Sequence, residues 1–145
     1  MQPLKHQSKS QKRHLRLKKE TQQNVEKAKI AGVYLNRLES GWRLQADPTL
    51  IYALGDFTIK RVLNEYLKLD SKYNTYRYRG LPPGPICFPS ISSIEAVLNA
   101  EDHNYFYFCA KPDYSGLHNF AKNNIAHNIN AQEYREFLNK ERIFK

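Results

Sequence analysis

The sequence predicts an α+β fold, with helices packed on a small, largely antiparallel sheet. Apolar residues recur at helical spacing through most of the chain. Two short β-prone runs, Tyr105 to Ala110 and Leu117 to Ala121, are separated by a turn segment. At 145 residues with 41% apolar content, the chain supplies one modest core and not two.

The elements follow in chain order. Residues 1 to 19 carry Leu4, Leu15 and Leu17 as their only aliphatics after Met1, which make no i, i+3, i+4, i+7 stripe, so this arm is expected to be disordered. Ala28, Ala31, Leu35 and Leu38 then set a helix over 25 to 39, with Asn24 as N-cap and Gly41 as the stop. Around Asp47-Pro48 a loop is expected to turn helical through Ile51 and Leu54, ended by Gly55. Ile59, Val62, Leu63, Tyr66 and Leu67 predict a helix over 57 to 67, and alternation in Tyr73 to Tyr78 predicts a short strand. Gly80 to Pro85, GLPPGP, reads as a rigid loop. Ser92 and Glu95 have capping-box spacing, and Ile91, Ile94, Val97 and Leu98 form an apolar face, so a helix runs from near Ser90 to Asn99. The two β-prone runs read as a hairpin turning at Lys111 to Gly116. A last helix over 124 to 139 uses Ile125, Ile129, Tyr134, Phe137 and Leu138.

Charge and composition exclude several functions. The net charge of +9 belongs to the arm: residues 1 to 19 hold seven of the 23 Lys and Arg and no acid, leaving 16 bases against 14 acids in the rest. A nearly neutral body argues against nucleic acid as a partner, since affinity there comes from many phosphate contacts. Mean hydropathy is -0.72, and the longest apolar runs span six residues where a bilayer crossing needs about 20. No apolar segment of the signal-peptide type follows the basic arm. Cys87 and Cys109 are too few for a disulfide scaffold or a four-cysteine zinc site, and either a single disulfide or two inert thiols fits them. His118 and His127 lack a partner at metal-ligand spacing, and no nucleotide or dinucleotide loop occurs, so neither metal nor cofactor is expected.

Polar residues that a core does not explain gather at Glu20, Asn36-Arg37, Gln45 to Thr49, Asn74 to Tyr76, and His118 with His127-Asn128. The segments that hold them are KKET (18 to 21), AGVYLNRL (31 to 38), LQADPTLIYALG (44 to 55), YNTY (73 to 76), GLPPGPI (80 to 86), YFYFCA (105 to 110), HNFA (118 to 121) and AHN (126 to 128). In that order and spacing they closely resemble the YceG-like endolytic murein transglycosylases, from about Glu20 onward. The resemblance implies a partial catalytic domain over 20 to 145 that cleaves MurNAc-GlcNAc β-1,4 bonds within peptidoglycan strands and leaves 1,6-anhydro-MurNAc ends. It implies Glu20 as the catalytic acid-base residue. It further implies glycan contacts from Asn36, Arg37, Gln45, Asp47, Thr49, Asn74, Thr75, Tyr76, His118 and Asn128. Family members are anchored in the inner membrane by an N-terminal helix and carry a LysM-like region, both expected to be missing here, and cell-wall synthases are implied partners.

The chemistry suits a chain with one candidate carboxylate. Ordinary glycosidases need two, because water or an enzyme nucleophile attacks the far face of the sugar. Here the nucleophile is the sugar's own C6 hydroxyl, so one glutamate can serve as acid and then base, worth about 10² to 10⁴ in rate. Lys18 stands where the family motif has its first acid, and KRHLRLK where the family has an apolar helix. A catalytically impaired glycan-binding fragment of the same family is therefore the alternative. Asn36 and Arg37 could equally hold their helix against the Asp47 loop through Arg-carboxylate pairing, and Asp47 could cap its loop.

Overall fold

The computed structural model describes residues 9 to 143, with side chains from Gln22 onward. Four helices, one 3-10 turn and one hairpin make up the described residues: α1 (Lys9–Glu39), α2 (Asp47–Leu54), the 3-10 turn Tyr66–Lys68, α3 (Ile91–Leu98), β1 (Tyr107–Ala110), β2 (His118–Ala121) and α4 (Asn124–Lys140). The α+β expectation holds.

Helix α1 is the spine, 31 residues and about 46 Å long. It starts well before Asn24, so Asn24 is not its cap, and residues 9 to 19, expected to lack fixed structure, continue the helix. From Lys9 to Ile30 no Gly or Pro interrupts it, and Lys, Gln, Arg, Leu and Glu propagate a helix at little cost once it is nucleated. Residues 1 to 8 of the expected arm lie outside the described residues. Gly41 does end the helix: with φ 68° it closes a Schellman motif, its N–H donating to Leu38 O at 3.1 Å and that of Trp42 to Arg37 O at 2.8 Å.

Against α1 pack α3 and the segment 101 to 105. Gly32 makes this approach possible, since a Cβ there would lie 2.3 Å from Glu101 O and 2.7 Å from His103 Nε2. Asn36 clamps the same segment, donating to His103 O at 2.7 Å and Tyr105 O at 3.0 Å. The hairpin follows, antiparallel with Tyr107 opposite Ala121 and Ala110 opposite His118, its turn falling in 111 to 117 as the sequence predicts. Helix α4 lies across both strands, capped by Asn123, whose side chain accepts from Ala126 N at 2.9 Å.

Three expectations need correction. Residues 57 to 65 form turns and loop rather than helix; Asp56 accepts from the N–H and hydroxyl of Thr58, and this local turn competes with a helical start. Residues 73 to 78 are turns, not a strand. Asn74 and Thr75, adjacent in sequence, are both buried, where successive residues of a half-exposed strand would face opposite ways, and the Tyr73 ring meets Tyr52 tilted at 4.9 Å. The cap of α3 is Ser90, accepting from Ser93 N at 3.2 Å, instead of the Ser92–Glu95 box. The apolar face expected of α3 is largely open to solvent, with Ala96 as its buried residue. Val33 and Leu50, 1% and 0% exposed, are the best-buried apolar side chains of a small core. Among the described residues no helix is long and apolar enough to cross a membrane.

Candidate functional site

The site is built on two loops that lock together behind it. Gln45 N donates to Thr75 O at 3.1 Å, and Ala46 N to Thr75 Oγ1 at 2.9 Å. Thr49 Oγ1 donates to Ala46 O at 2.7 Å and lies 2.7 Å from Thr75 Oγ1. Each hydroxyl has one proton, so Thr75 must be the donor to Thr49. Asn74, fully buried, donates to Leu67 O and Leu69 O at 3.1 and 2.8 Å, and its Oδ1 accepts from Tyr76 N at 3.0 Å. Thr49, Asn74 and Thr75 thus form the frame on which Asp47 and Tyr76 are mounted.

Arg37 joins α1 to the same frame and is 6% exposed. Its Nε donates to Phe106 O at 2.6 Å, and one terminal nitrogen reaches Arg43 O, Leu44 O and Gln45 Oε1 at 2.9, 3.2 and 3.2 Å. The helix is held against the loop through carbonyls, not through an Arg37–Asp47 pair. Gln45, at φ 51°, is one of three non-glycine residues with positive φ among those described.

In front of this frame lies a cleft of about 510 Å³, walled by Tyr34 and Arg37 of α1, Gln45, Asp47, Tyr76, strand β1 from Phe108 to Ala110, His118 of β2, and His127, Tyr134 and Arg135 of α4. A second hollow of about 440 Å³, lined by Trp42, Arg43, Arg79, Tyr107 and Asn124, shares Arg37 and Gln45 with it. The two hollows thus adjoin at Arg37 and Gln45, along one trough-like stretch of surface.

Asp47 accepts a short hydrogen bond from the Tyr76 hydroxyl. Asp47 is an exposed residue on the trough wall, but its surroundings enclose it widely enough that desolvation raises its pKa, and the Tyr76 bond lowers it in part. Asp47 is the first residue of α2 and caps nothing, Ala46 being the N-cap. Burial and the charge of Asp47 push the Tyr34 hydroxyl up to about 12, and burial with the same carboxylate raises Tyr76 further, so both phenols stay protonated donors. His127 stacks on Tyr107 at 4.8 Å, and its Nδ1 is buried with no hydrogen-bond partner among the described residues. Burial, then the charges of Arg37 and Arg135, lower its pKa, leaving a neutral ring. Cys87 and Cys109 are free thiols, with Cys109 on the cleft wall.

Of the sequence-predicted site residues, the structure brings Arg37, Gln45, Asp47, Tyr76 and His118 to the trough. Thr49, Asn74 and Thr75 stand behind it, and Asn36 turns away to the 103 to 105 segment. Asn128 lies on the exposed side of α4, bonded to Asn124 Oδ1 at 2.6 Å. Glu20 has its backbone in α1, six residues before Glu26, and its side chain lies outside the described residues. Sequence reasoning passed over Tyr34, Tyr134 and Arg135, and chose Asn128 beside His127. The missed signal was the spacing 127, 131, 134 and 135, which puts these residues on one face of α4.

Residues 17–133 match the YceG-like family, and the chain belongs to it. A relative from Bacillus subtilis named endolytic murein transglycosylase is 41% identical over 118 residues, 81% of this chain and 32% of the relative. A Streptococcus pneumoniae protein of the same name is 32% identical over 122 residues, covering 81% of this chain and 22% of its own length. The crystal structure of a yceG-like protein from Listeria monocytogenes is similar with a TM-score of 0.66 and 44% identity, over 70% of this chain and 33% of that one. The chain thus spans about a third or less of the length of these relatives.

Proposed function

We propose that this chain carries the catalytic part of a peptidoglycan lytic transglycosylase, a lyase that cleaves MurNAc-GlcNAc β-1,4 bonds within glycan strands and leaves 1,6-anhydro-MurNAc ends during cell wall biogenesis. The observation that carries this reading is the trough itself. Residues 17–133, which match the family, supply all of its lining except Tyr134 and Arg135, and that lining includes a donor and an aromatic face of the kind sugars need. Trp42, 41% exposed, gives an apolar face for a pyranose ring, and the exposed Gln45 amide, whose oxygen is taken by Arg37, gives a donor for hydroxyls and acetamido carbonyls.

Glu20 is the proposed acid. Its carboxyl protonates the departing O4 while O6 of the same MurNAc attacks C1, so no water is consumed and no second carboxylate is required. The proposed substrate contacts are Arg37, Gln45, Asp47, Tyr76 and His118 at the trough, with Asn36, Thr49, Asn74, Thr75 and Asn128 acting through its frame or rim. The proposed setting is the bacterial cell envelope, with the whole protein anchored in the inner membrane, its catalytic part outside the cytoplasm and cell-wall synthases as neighbours.

Incubation of the chain with purified peptidoglycan, followed by mass spectrometry of the soluble products, tests this. Anhydro-ended muropeptides are expected. Retention on glycan without release would favour the glycan-binding alternative, to which the basic KRHLRLKK stretch before Glu20 points. The absence of both release and retention would overturn the assignment.

A further inference from the structure

Two histidines of this fold are hydrogen-bonded in opposite ways. His103 is fully engaged: Nε2 donates to Lys29 O at 2.7 Å and Nδ1 accepts from Tyr105 N at 3.0 Å. It is a structural histidine with nothing left to offer. His118, the first residue of β2, is held by Glu26 of α1, whose carboxylate accepts from the His118 backbone N–H at 2.8 Å and from ring Nδ1 at 2.9 Å. Glu26 is only 13% exposed, and the Phe108 ring meets the imidazole edge-on at 5.4 Å, so orientation is fixed on two sides.

A carboxylate can only accept, so the Nδ1 of His118 carries the proton and the lone pair of the neutral ring sits on Nε2. No described residue hydrogen-bonds Nε2, and His118 stands between two hollows, lining the trough with Asp47 and Tyr76 on one side and a hollow of about 450 Å³ with Glu26, Lys29 and Phe120 on the other. A buried carboxylate that sets the tautomer of a histidine with a free Nε2 in a cleft is the arrangement that makes imidazole a proton acceptor.

We propose that His118 takes the proton of the attacking C6 hydroxyl, with Glu26 as its positioning residue; this rests on the transglycosylase reading. In the step, the O6–C1 bond forms and C1–O4 breaks. O4 receives the proton of the Glu20 carboxyl, and the O6 proton passes to His118 Nε2. The enzyme is left with a Glu20 carboxylate and a His118 imidazolium beside the Glu26 charge, and proton exchange with water resets both. The second half of the proton traffic, which a lone glutamate could also serve, thereby has its own acceptor.

Glu26→Gln in the full chain tests this. Glutamine keeps both bonds, accepting from the His118 backbone and donating to Nδ1, but it forces the ring proton onto Nε2. A purely structural clasp would be indifferent to the change. The expected result on soluble glycan strands is a kcat lowered about 100-fold or more with KM nearly unchanged. Nitrogen NMR of the imidazole should show Nε2 unprotonated in the parent and protonated in the variant, with Tm preserved. If Glu26→Gln fails to fold, His118→Gln, which keeps the backbone bond to Glu26, is read by the same kcat criterion. An active parent with an equally active variant overturns the role of His118 alone. A parent that releases no anhydro ends overturns the transglycosylase reading and the base with it.

Discussion

Asp47 is placed where its charge is opposed by its surroundings and supported by one phenol. Because the trough walls raise its folded pKa above the unfolded value, the native state favours the protonated form. The stability this contributes is present below the ordinary carboxylate range and is lost as pH rises through the raised value. At neutral pH an ionised Asp47 is a net cost. Asp47→Asn still accepts from Tyr76, so its Tm should exceed the parent's at pH 7, and the gap should close as pH approaches 4. A lower Tm at pH 7 would sink this account. His127 has the opposite sign. Its pKa is lowered, so below about pH 6.5 the unfolded chain binds a proton that the folded chain refuses, and stability falls with acidification until the folded ring also titrates. His127→Phe preserves the stacking on Tyr107 and removes both the orphaned Nδ1 and the titration. The Tm of this variant relative to the parent should rise between pH 7.5 and 5.5; a constant difference would exclude His127 as the source.

The elements show what the sequence could express and what it could not. Helices α2 and α4, the hairpin and the end of α1 at Gly41 were legible because each is specified locally, by period, cap and turn chemistry. The 57 to 67 and 73 to 78 segments were misread because which of their residues are buried is a tertiary fact that local pattern does not express. Asn74 illustrates this: it carries no periodic signal, yet its amide and carbonyl secure three backbone groups of a loop. Asn74→Ala leaves two inward carbonyls unpaired and should cost about 2 to 4 kcal/mol in denaturant unfolding. The junction of α1 with 101 to 105 was equally silent in sequence. Gly32 sits inside the helix with ordinary φ, so only the close approach of Glu101 O explains it. Gly32→Ala improves helix propensity by about 1 kcal/mol in isolation, yet here it must push the segment away and break contacts such as Glu101 N to Ala28 O at 3.0 Å. A net loss of Tm is expected, and a gain would show the junction to be pliable.

At the scale of the molecule, the trough is assembled from residues far apart in sequence, which is why motif order exposed the family while the division of labour within each motif stayed hidden. Pairing of Arg37 with the Asp47 carboxylate was one of two readings the sequence left open; folded, Arg37 bonds to carbonyls and Asp47 to Tyr76. The catalytic assignment follows the same logic. Glu20 lies on the helix that carries Glu26, Tyr34 and Arg37, so one rigid rod sets the spacing of their backbones, whereas an acid on a loop would have to be ordered separately. Three bases, Arg16, Lys18 and Lys19, precede Glu20 within four residues, and their positive field favours an ionised carboxylate where the acid step needs a proton. Glu20→Gln keeps size and hydrogen bonding but cannot give up a proton, so anhydromuropeptide release should disappear while retention on glycan persists. Replacing Arg16, Lys18 and Lys19 with Leu, Gln and Gln should raise turnover if Glu20 is the acid. Release by Glu20→Gln at the parental rate would instead leave Asp47, already poised toward its protonated form, as the carboxyl group to test next.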